Sequence, residues 1–144
     1  MIIYIIMSDD NDLKKIYPYY VERTNYYKSI YGQKTVVLMQ VGSFFEIYSD
    51  CHKDNIDIKT ISDLTQLAVA NKKCGYYMAG FKLEILQKYA NIITNSGYTC
   101  VIYEQTGEQT LEGKEKRALT EIISPGTNIN CKDEVSNLII FYLE

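Results

Sequence analysis

The fold is decided by one stretch of sequence, Val36-Val37-Leu38-Met39-Gln40-Val41-Gly42-Ser43-Phe44-Phe45-Glu46-Ile47-Tyr48. Its first six residues form a continuous apolar run rich in β-branched side chains, which is typical of a buried strand. A Gly-Ser pair ends this run at a turn. Phe44 to Tyr48 then predict a second strand.

The second strand has two unlike faces, because alternate residues of a strand share a face. Phe45 and Ile47 point one way, whereas Phe44, Glu46 and Tyr48 point the other. If Phe45 and Ile47 face the core, an aromatic ring and a carboxylate stand side by side on the opposite surface. The alternative is structural: a half-buried strand whose Phe44 covers a neighbouring helix. The pattern alone favours that alternative.

Three helices are predicted around these strands. The first begins at Pro18, since proline is tolerated in a first helical turn, and ends at Gly32. The second is capped by Ser49 and Asp50 and continues to about Gln66. The third follows residue 82 and ends at Asn95-Ser96-Gly97. Their inward residues at helical spacing are Tyr20, Thr24, Tyr27 and Tyr31 in the first, Ile58, Ile61 and Leu64 in the second, and Leu83, Leu86, Tyr89, Ala90 and Ile93 in the third.

Further strands are predicted over residues 67–70, 76–81, 98–104 and 119–123, with a polar loop from Thr106 to about Glu115. An apolar run from Val135 to Leu143 stands near the chain end. Strands and helices alternate without a regular βαβ period. We therefore predict an α/β fold with α+β character: one mixed sheet of about five to six strands with about three helices packed on it.

Composition bounds the function. The chain has 144 residues, of which 47% are apolar and 23% charged, the size and balance of one globular domain. A net charge of −3 excludes a generally basic protein that coats nucleic acid, but leaves a local contact surface open. The apolar start, Met1 to Met7, is too short to span a bilayer and has no cleavage site. We expect a soluble, intracellular protein.

The sequence contains no motif for most kinds of catalysis. The chain has one histidine, His52, and four cysteines without metal-site spacing, Cys51, Cys74, Cys100 and Cys131. No phosphate-binding P-loop, dinucleotide fingerprint or serine-nucleophile motif occurs. Glu112-Gly113-Lys114 has the Glu-x-Lys spacing of some nucleases, but it stands in a polar loop without converging carboxylates. We predict no catalytic residue, no metal site and no cofactor in this chain.

Four blocks, in order, resemble the start of MutS-type DNA mismatch repair proteins. Val36 to Asp50 is similar to a buried strand followed by Gly-Asp-Phe-Tyr-Glu-Leu-Phe. Tyr77 to Phe81 resembles the family's Met-Ala-Gly segment, and Ser96 to Glu108 its Glu-Gln strand. Arg117 to Thr127 resembles the strand that ends in Thr-Pro-Gly-Thr. The chain departs from the family pattern at three places. Ser43 stands where an Asp is usual, and Phe45 stands where a Tyr is common. After Phe81, where the family often has Pro-x-His, this chain has Lys82-Leu83-Glu84.

The resemblance implies a MutS domain I-like fold, the mismatch-recognition domain. Its expected bounds are residues 18–131, after an N-terminal extension over 1–17. Residues 132–144 are then a C-terminal segment, expected to start the next (connector) domain. The family's other domains, including the ATPase domain that binds ATP and Mg²⁺, are absent from this sequence. The resemblance therefore implies a non-enzymatic module, whereas a full-length parent would be an ATPase.

The resemblance also assigns a site. In the family's Phe-x-Glu motif the Phe wedges into the minor groove beside a mispaired base, and the Glu accepts a hydrogen bond from that base. By this resemblance, Phe44 is the residue that wedges into the groove and Glu46 is the residue that accepts the hydrogen bond from the base. Lys72, Lys73 and Lys82 are the expected phosphate contacts. The implied partners are double-stranded DNA with mismatches or small loops, the remaining MutS-type domains, and a second copy held through those domains.

Two other functions stay open at this point. A degenerate MutS-like domain acting as a protein-interaction module fits the acidic pI, although the Phe44-x-Glu46 pair opposes it. A small nuclease rests on the mixed fold alone, with no site behind it.

Overall fold

A computed structural model describes residues 10–50, 56–72 and 75–126. Met1 to Met7, Val135 to Leu143, His52, Lys73, Cys51, Cys74 and Cys131 lie outside these ranges, as do the predictions made for them. The elements within them are α1 (Asp10–Tyr31), β1 (Thr35–Val41), β2 (Phe44–Asp50), α2 (Ile58–Thr65), β3 (Ala70–Asn71), β4 (Tyr76–Lys82), a 3₁₀ turn (Leu83–Ile85), α3 (Leu86–Asn95), β5 (Thr99–Gln109) and β6 (Glu115–Ile123).

The strands form one six-stranded sheet in the order β3-β4-β2-β1-β5-β6. Only β1 and β5 pair in parallel; the other neighbours are antiparallel. Three α-helices accompany the sheet in the described part of the chain. The prediction of one mixed sheet with about three helices is confirmed.

Helix α1 packs on one face of the sheet. The Tyr20 ring meets the Tyr48 ring edge-on at 5.0 Å between centroids, and the Tyr20 hydroxyl donates a 2.7 Å hydrogen bond to the carbonyl of Val37. About one turn earlier in the helix, the Tyr17 ring stacks on the Tyr76 ring of β4 at 4.3 Å between centroids. These aromatic contacts anchor α1 to β1, β2 and β4 together.

The opposite face carries a second layer of side chains. Phe45 of β2 lies beside Phe81 of β4, with 5.9 Å between ring centroids, and Phe81 packs edge-on against Tyr89 of α3 at 4.5 Å. Buried Ile58 and Ile61 of α2, predicted as inward residues, join the same core. Both faces of the central strands are therefore covered, which explains why their sequences are apolar almost throughout.

Helix α1 begins at Asp10, so the prediction that it begins at Pro18 is wrong. Pro18 is exposed inside the helix, where it removes one backbone hydrogen bond. The extra turns are stabilised by burial, because Leu13 is fully buried and Tyr17 stacks on Tyr76. Leu13 and Tyr17 extend the inward stripe of the helix backwards through the proline.

Other boundaries also differ from the prediction. Ser49 and Asp50 do not cap a helix but end β2; α2 is capped by Asp57, whose carboxylate accepts a 3.1 Å hydrogen bond from the backbone N–H of Thr60. The predicted polar loop from Thr106 to Glu115 is largely strand, since β5 continues to Gln109 and only a tight turn separates it from β6.

Because both faces of β2 are covered, we predict that replacing Phe45 and replacing its neighbour Phe44 by alanine cause different losses of unfolding free energy. Phe45 is 2% exposed, and Phe45→Ala should destabilise the fold by about 3–5 kcal/mol through lost burial and a cavity. Phe44→Ala is the matched control, because Phe44 is only half-buried at the end of the strand. Urea denaturation of both variants measures the difference. Equal losses of unfolding free energy would contradict this account of the core.

Candidate nucleic-acid interface

The turn between β1 and β2 presents Phe44 at the rim of the sheet. Gly42 has a φ of +60°, and a two-residue loop with glycine first fits a type II′ hairpin turn. Phe44 pairs with Val41 on one side and with Lys82 on the other. It is half-buried, and Lys82 is exposed. An aromatic ring and a cation thus stand together where the central hairpin ends.

Glu46 lies two residues further along the same face, but it is fully buried. Its neighbours in the sheet are Met39 of β1 and Gly80 of β4. The hydroxyl of Tyr48 donates a hydrogen bond to its carboxylate. The prediction that the face opposite Phe45 is an open surface is therefore wrong at Glu46 and Tyr48. The physical reason is α1, whose Tyr20 packs against Tyr48 on this face.

A groove of about 770 Å³ opens beside the turn, between the first turns of α1 and the β5–β6 hairpin. Val41 and Tyr19 contribute to its walls. Four cationic and two anionic side chains line it: Lys15, Lys114, Lys116 and Arg117 against Asp12 and Glu115. Its lining is therefore positively charged overall, in a chain whose net charge is negative.

Two of these lysines already hold surface ion pairs. Lys114 lies 3.7 Å from Glu112, and Lys116 lies 3.8 Å from Glu108. The two lysines and their two glutamate partners are each at least half exposed, and ion pairs of this kind contribute little to stability. These lysines can therefore exchange an intramolecular carboxylate for another anion at small cost.

Arg117 is the most enclosed cation of the groove. Burial lowers its pKa from the ordinary value, while Tyr48, Glu115, Tyr19 and Glu46 act in the opposite direction. An arginine remains protonated at neutral pH. Arg117 therefore places a fixed positive charge within electrostatic range of Glu46.

The predicted phosphate contacts do not behave as one group. Lys82 is exposed next to Phe44 and is available to a bound molecule. Lys72 is only 9% exposed, whereas a phosphate contact requires an accessible ammonium group. Lys73 lies outside the described residues. No pattern in the sequence predicted the groove cations Lys15 and Arg117, because they are far apart in the chain and meet only in the fold.

Within the described ranges, no group of three or more His, Cys, Asp or Glu side chains could hold a metal ion. Cys100 is buried in β5, and burial raises the pKa of its thiol to about 12. This thiol is thus a packed apolar group rather than a reactive one. Within the same ranges, no helix is long and apolar enough to cross a membrane.

The fold and the Phe44 turn define a known class of domain: residues 23–132 match the MutS domain I family. The chain is 29% identical over 133 residues to a DNA mismatch repair protein mutS homolog of Acanthamoeba polyphaga mimivirus, covering 85% of this chain and 12% of that protein. DNA mismatch repair protein MutS of Microcystis aeruginosa is 28% identical over 128 residues, 83% of this chain and 13% of that protein. The corresponding MutS of Trichodesmium erythraeum is 30% identical over 125 residues, 83% of this chain and 13% of that protein.

The chain belongs to the MutS family, as the four sequence blocks predicted. It spans about one eighth of the length of the relatives it matches. The family match begins at residue 23, within α1, and Leu13, Tyr17 and Tyr20 lie before its first residue.

The buried Glu46–Tyr48 contact predicts a stability effect. Tyr48→Phe keeps the ring but removes the hydroxyl that donates to the carboxylate, and should cost about 1.5–3 kcal/mol, the range for hydrogen bonds to charged groups. Tyr31→Phe, at the half-buried end of α1, is the control and should stay within about 0.5 kcal/mol of the wild type. Chemical denaturation checks both. A Tyr48→Phe protein as stable as the wild type would show that the contact contributes nothing.

Proposed function

We propose that this chain is a mismatch-recognition module of DNA mismatch repair, and that it binds duplex DNA containing a mispair or a small loop. The observation that supports this most directly is the position of Phe44. It stands at the rim of the sheet, at the end of a tight hairpin, beside the exposed cation Lys82. Family membership and the names of the relatives point to the same role.

The proposed mechanism uses Phe44 as a wedge. An apolar side chain that enters a base step from the minor groove unstacks it and kinks the duplex, at a cost of about a few kcal/mol. The cost is lower where pairing is already defective. A rigidly held Phe44 therefore discriminates by deformability: it enters a mismatched step more readily than a paired one.

The second part of the proposal concerns Glu46. A carboxylate can accept a hydrogen bond from a base, but Glu46 is buried on the face that α1 covers. We infer that Phe44 engages DNA first, and that Glu46 meets a base only when α1 moves away from this face. The part of α1 that must move is the part that carries Tyr20, because Tyr20 packs against Tyr48 on this face.

Electrostatics set the expected affinity. The groove and Lys82 offer cations for phosphates, but the net charge of −3 opposes binding to DNA. We expect weak binding that falls steeply with salt. In a longer protein of this family, the remaining domains supply the other contacts, the nucleotide site for ATP and Mg²⁺, and contacts to a second copy; these are proposals for the parent, not for this chain.

One observation favours a second candidate function. Because the carboxylate of Glu46 is already bonded to Tyr48 and enclosed, the domain could serve as a protein-interaction module that reads no DNA. The two functions differ in one property: only the recognition module distinguishes mismatched from matched duplex.

Phe44→Ala tests the wedge. It should weaken binding to a duplex with a G·T pair or a one-base loop about fivefold to hundredfold, the equivalent of losing a stacking contact of about 1–3 kcal/mol. Binding to matched duplex should hardly change. Fluorescence anisotropy at low salt measures both, with Tyr26→Ala, which removes an exposed aromatic ring from α1, as the control. Equal weakening on both duplexes, or no preference in the wild type, would rule out the wedge.

Glu46→Gln tests the proposed contact between Glu46 and a base. The amide keeps an acceptor oxygen but removes the charge, so repulsion from phosphates falls. Affinity for matched duplex should rise and the preference for the mismatch should narrow. Binding curves at several salt concentrations separate this effect from a change of fold. Unchanged affinity for both duplexes would show that Glu46 stays enclosed and takes no part in recognition.

A further inference from the structure

Strands β1 and β5 separate just before the Phe44 turn. Their parallel pairing runs from Thr35–Thr99 to Met39–Tyr103. Beyond that pair β5 stays with β6, through a register shift between Gln105 and Gln109. The turn therefore leaves the sheet at a place where β1 has lost the regular support of β5.

The side chain of Gln40 bridges this gap. Its Oε1 accepts a 2.8 Å hydrogen bond from the backbone N–H of Gln105, on β5. Its Nε2 donates a 2.9 Å hydrogen bond to the carbonyl of Gly42, inside the turn. One amide thus uses its acceptor and its donor to tie β5 to the turn.

Arg117 supports the same residue from β6. Its Nε donates a 2.7 Å hydrogen bond to the backbone carbonyl of Gln40. The contact is half-buried and joins positions 77 residues apart, so it links the outer strand of the sheet to the end of β1. A charged donor makes this one of the stronger kinds of hydrogen bond.

We infer that Gln40, supported by Arg117, is a positioning residue for Phe44. This inference rests on the proposed function. On the other side of the turn, the backbone N–H of Leu83 donates to the carbonyl of Ser43 at 3.1 Å. Gln40 and Leu83 thus hold the turn from both sides, and together they fix the direction in which Phe44 leaves the sheet. A wedge fixed before binding loses less conformational freedom on insertion.

Gln40→Met removes both side-chain hydrogen bonds while nearly keeping size and charge. It should lower the ratio of mismatched to matched affinity about twofold to a hundredfold, the range for one or two net hydrogen bonds. Affinity for matched duplex should stay the same, because Phe44 does not enter a paired step. Gln87→Met makes the same chemical change at an exposed position of α3 and should leave both affinities unaltered.

Gln40→Glu separates the two bonds. It keeps the acceptor for Gln105 but replaces the donor to Gly42 with an oxygen that repels the carbonyl. The affinity ratio should fall at least as far as in Gln40→Met, although the tie to β5 remains. Amide hydrogen exchange of the free protein supplies a readout without DNA: exchange at Phe44 should accelerate in both variants, with melting temperatures close to wild type.

The outcomes are distinguishable. If Phe44→Ala abolishes the mismatch preference while Gln40→Met and Gln40→Glu retain it, the positioning role is wrong and the proposed function stands. If Gln40→Met weakens binding to both duplexes equally, Gln40 contacts DNA generally and does not position the wedge. If Gln40→Met fails to fold, Gln40→Glu decides. If Phe44→Ala changes neither affinity, the proposed function fails, and the positioning role fails with it.

Discussion

The register of β1 against β2 is the constraint on which the rest of the structure depends. The Gly42–Ser43 turn pairs Val41 with Phe44, and this single pairing assigns every later residue of β2 to a face. A slip of one residue would exchange Phe45 for Glu46 in the aromatic layer beside Phe81. Both faces of β2 are covered, so such a slip would place the Glu46 carboxylate among aromatic rings, away from the Tyr48 hydroxyl that donates to it.

The same constraint creates a conflict between stability and recognition on the α1 face. Tyr48 and Glu46 share this face with Phe44, and Tyr20 of α1 packs over Tyr48. Burial there stabilises the helix on the sheet but encloses the carboxylate. Phe44, at the rim, is covered only in part. In the proposed function, Phe44 is therefore available to DNA at once, whereas Glu46 becomes available only when α1 moves.

Local sequence predicted most of the fold, because the apolar run before Gly42, the alternation after it and the helical stripe from Tyr20 to Tyr31 are all short-range patterns. It failed where distant contacts decide. Pro18 reads as a helix start, yet burial of Leu13 carries α1 back to Asp10. Phe44 and Glu46 were singled out by a motif, but the enclosure of Glu46 by α1, and the role of Arg117 across 77 positions, follow from tertiary packing alone.

The central claim is that Phe44 enters a mismatched base step, and fluorescence of 2-aminopurine tests it most directly. This base brightens when it loses its stacking neighbours, so it is placed beside a G·T pair in one duplex and in a matched duplex as the reference. The account predicts brightening on binding to the mismatched duplex, none on the matched duplex, and none with Phe44→Ala. Brightening that is equal on both duplexes, or that persists in Phe44→Ala, would contradict it.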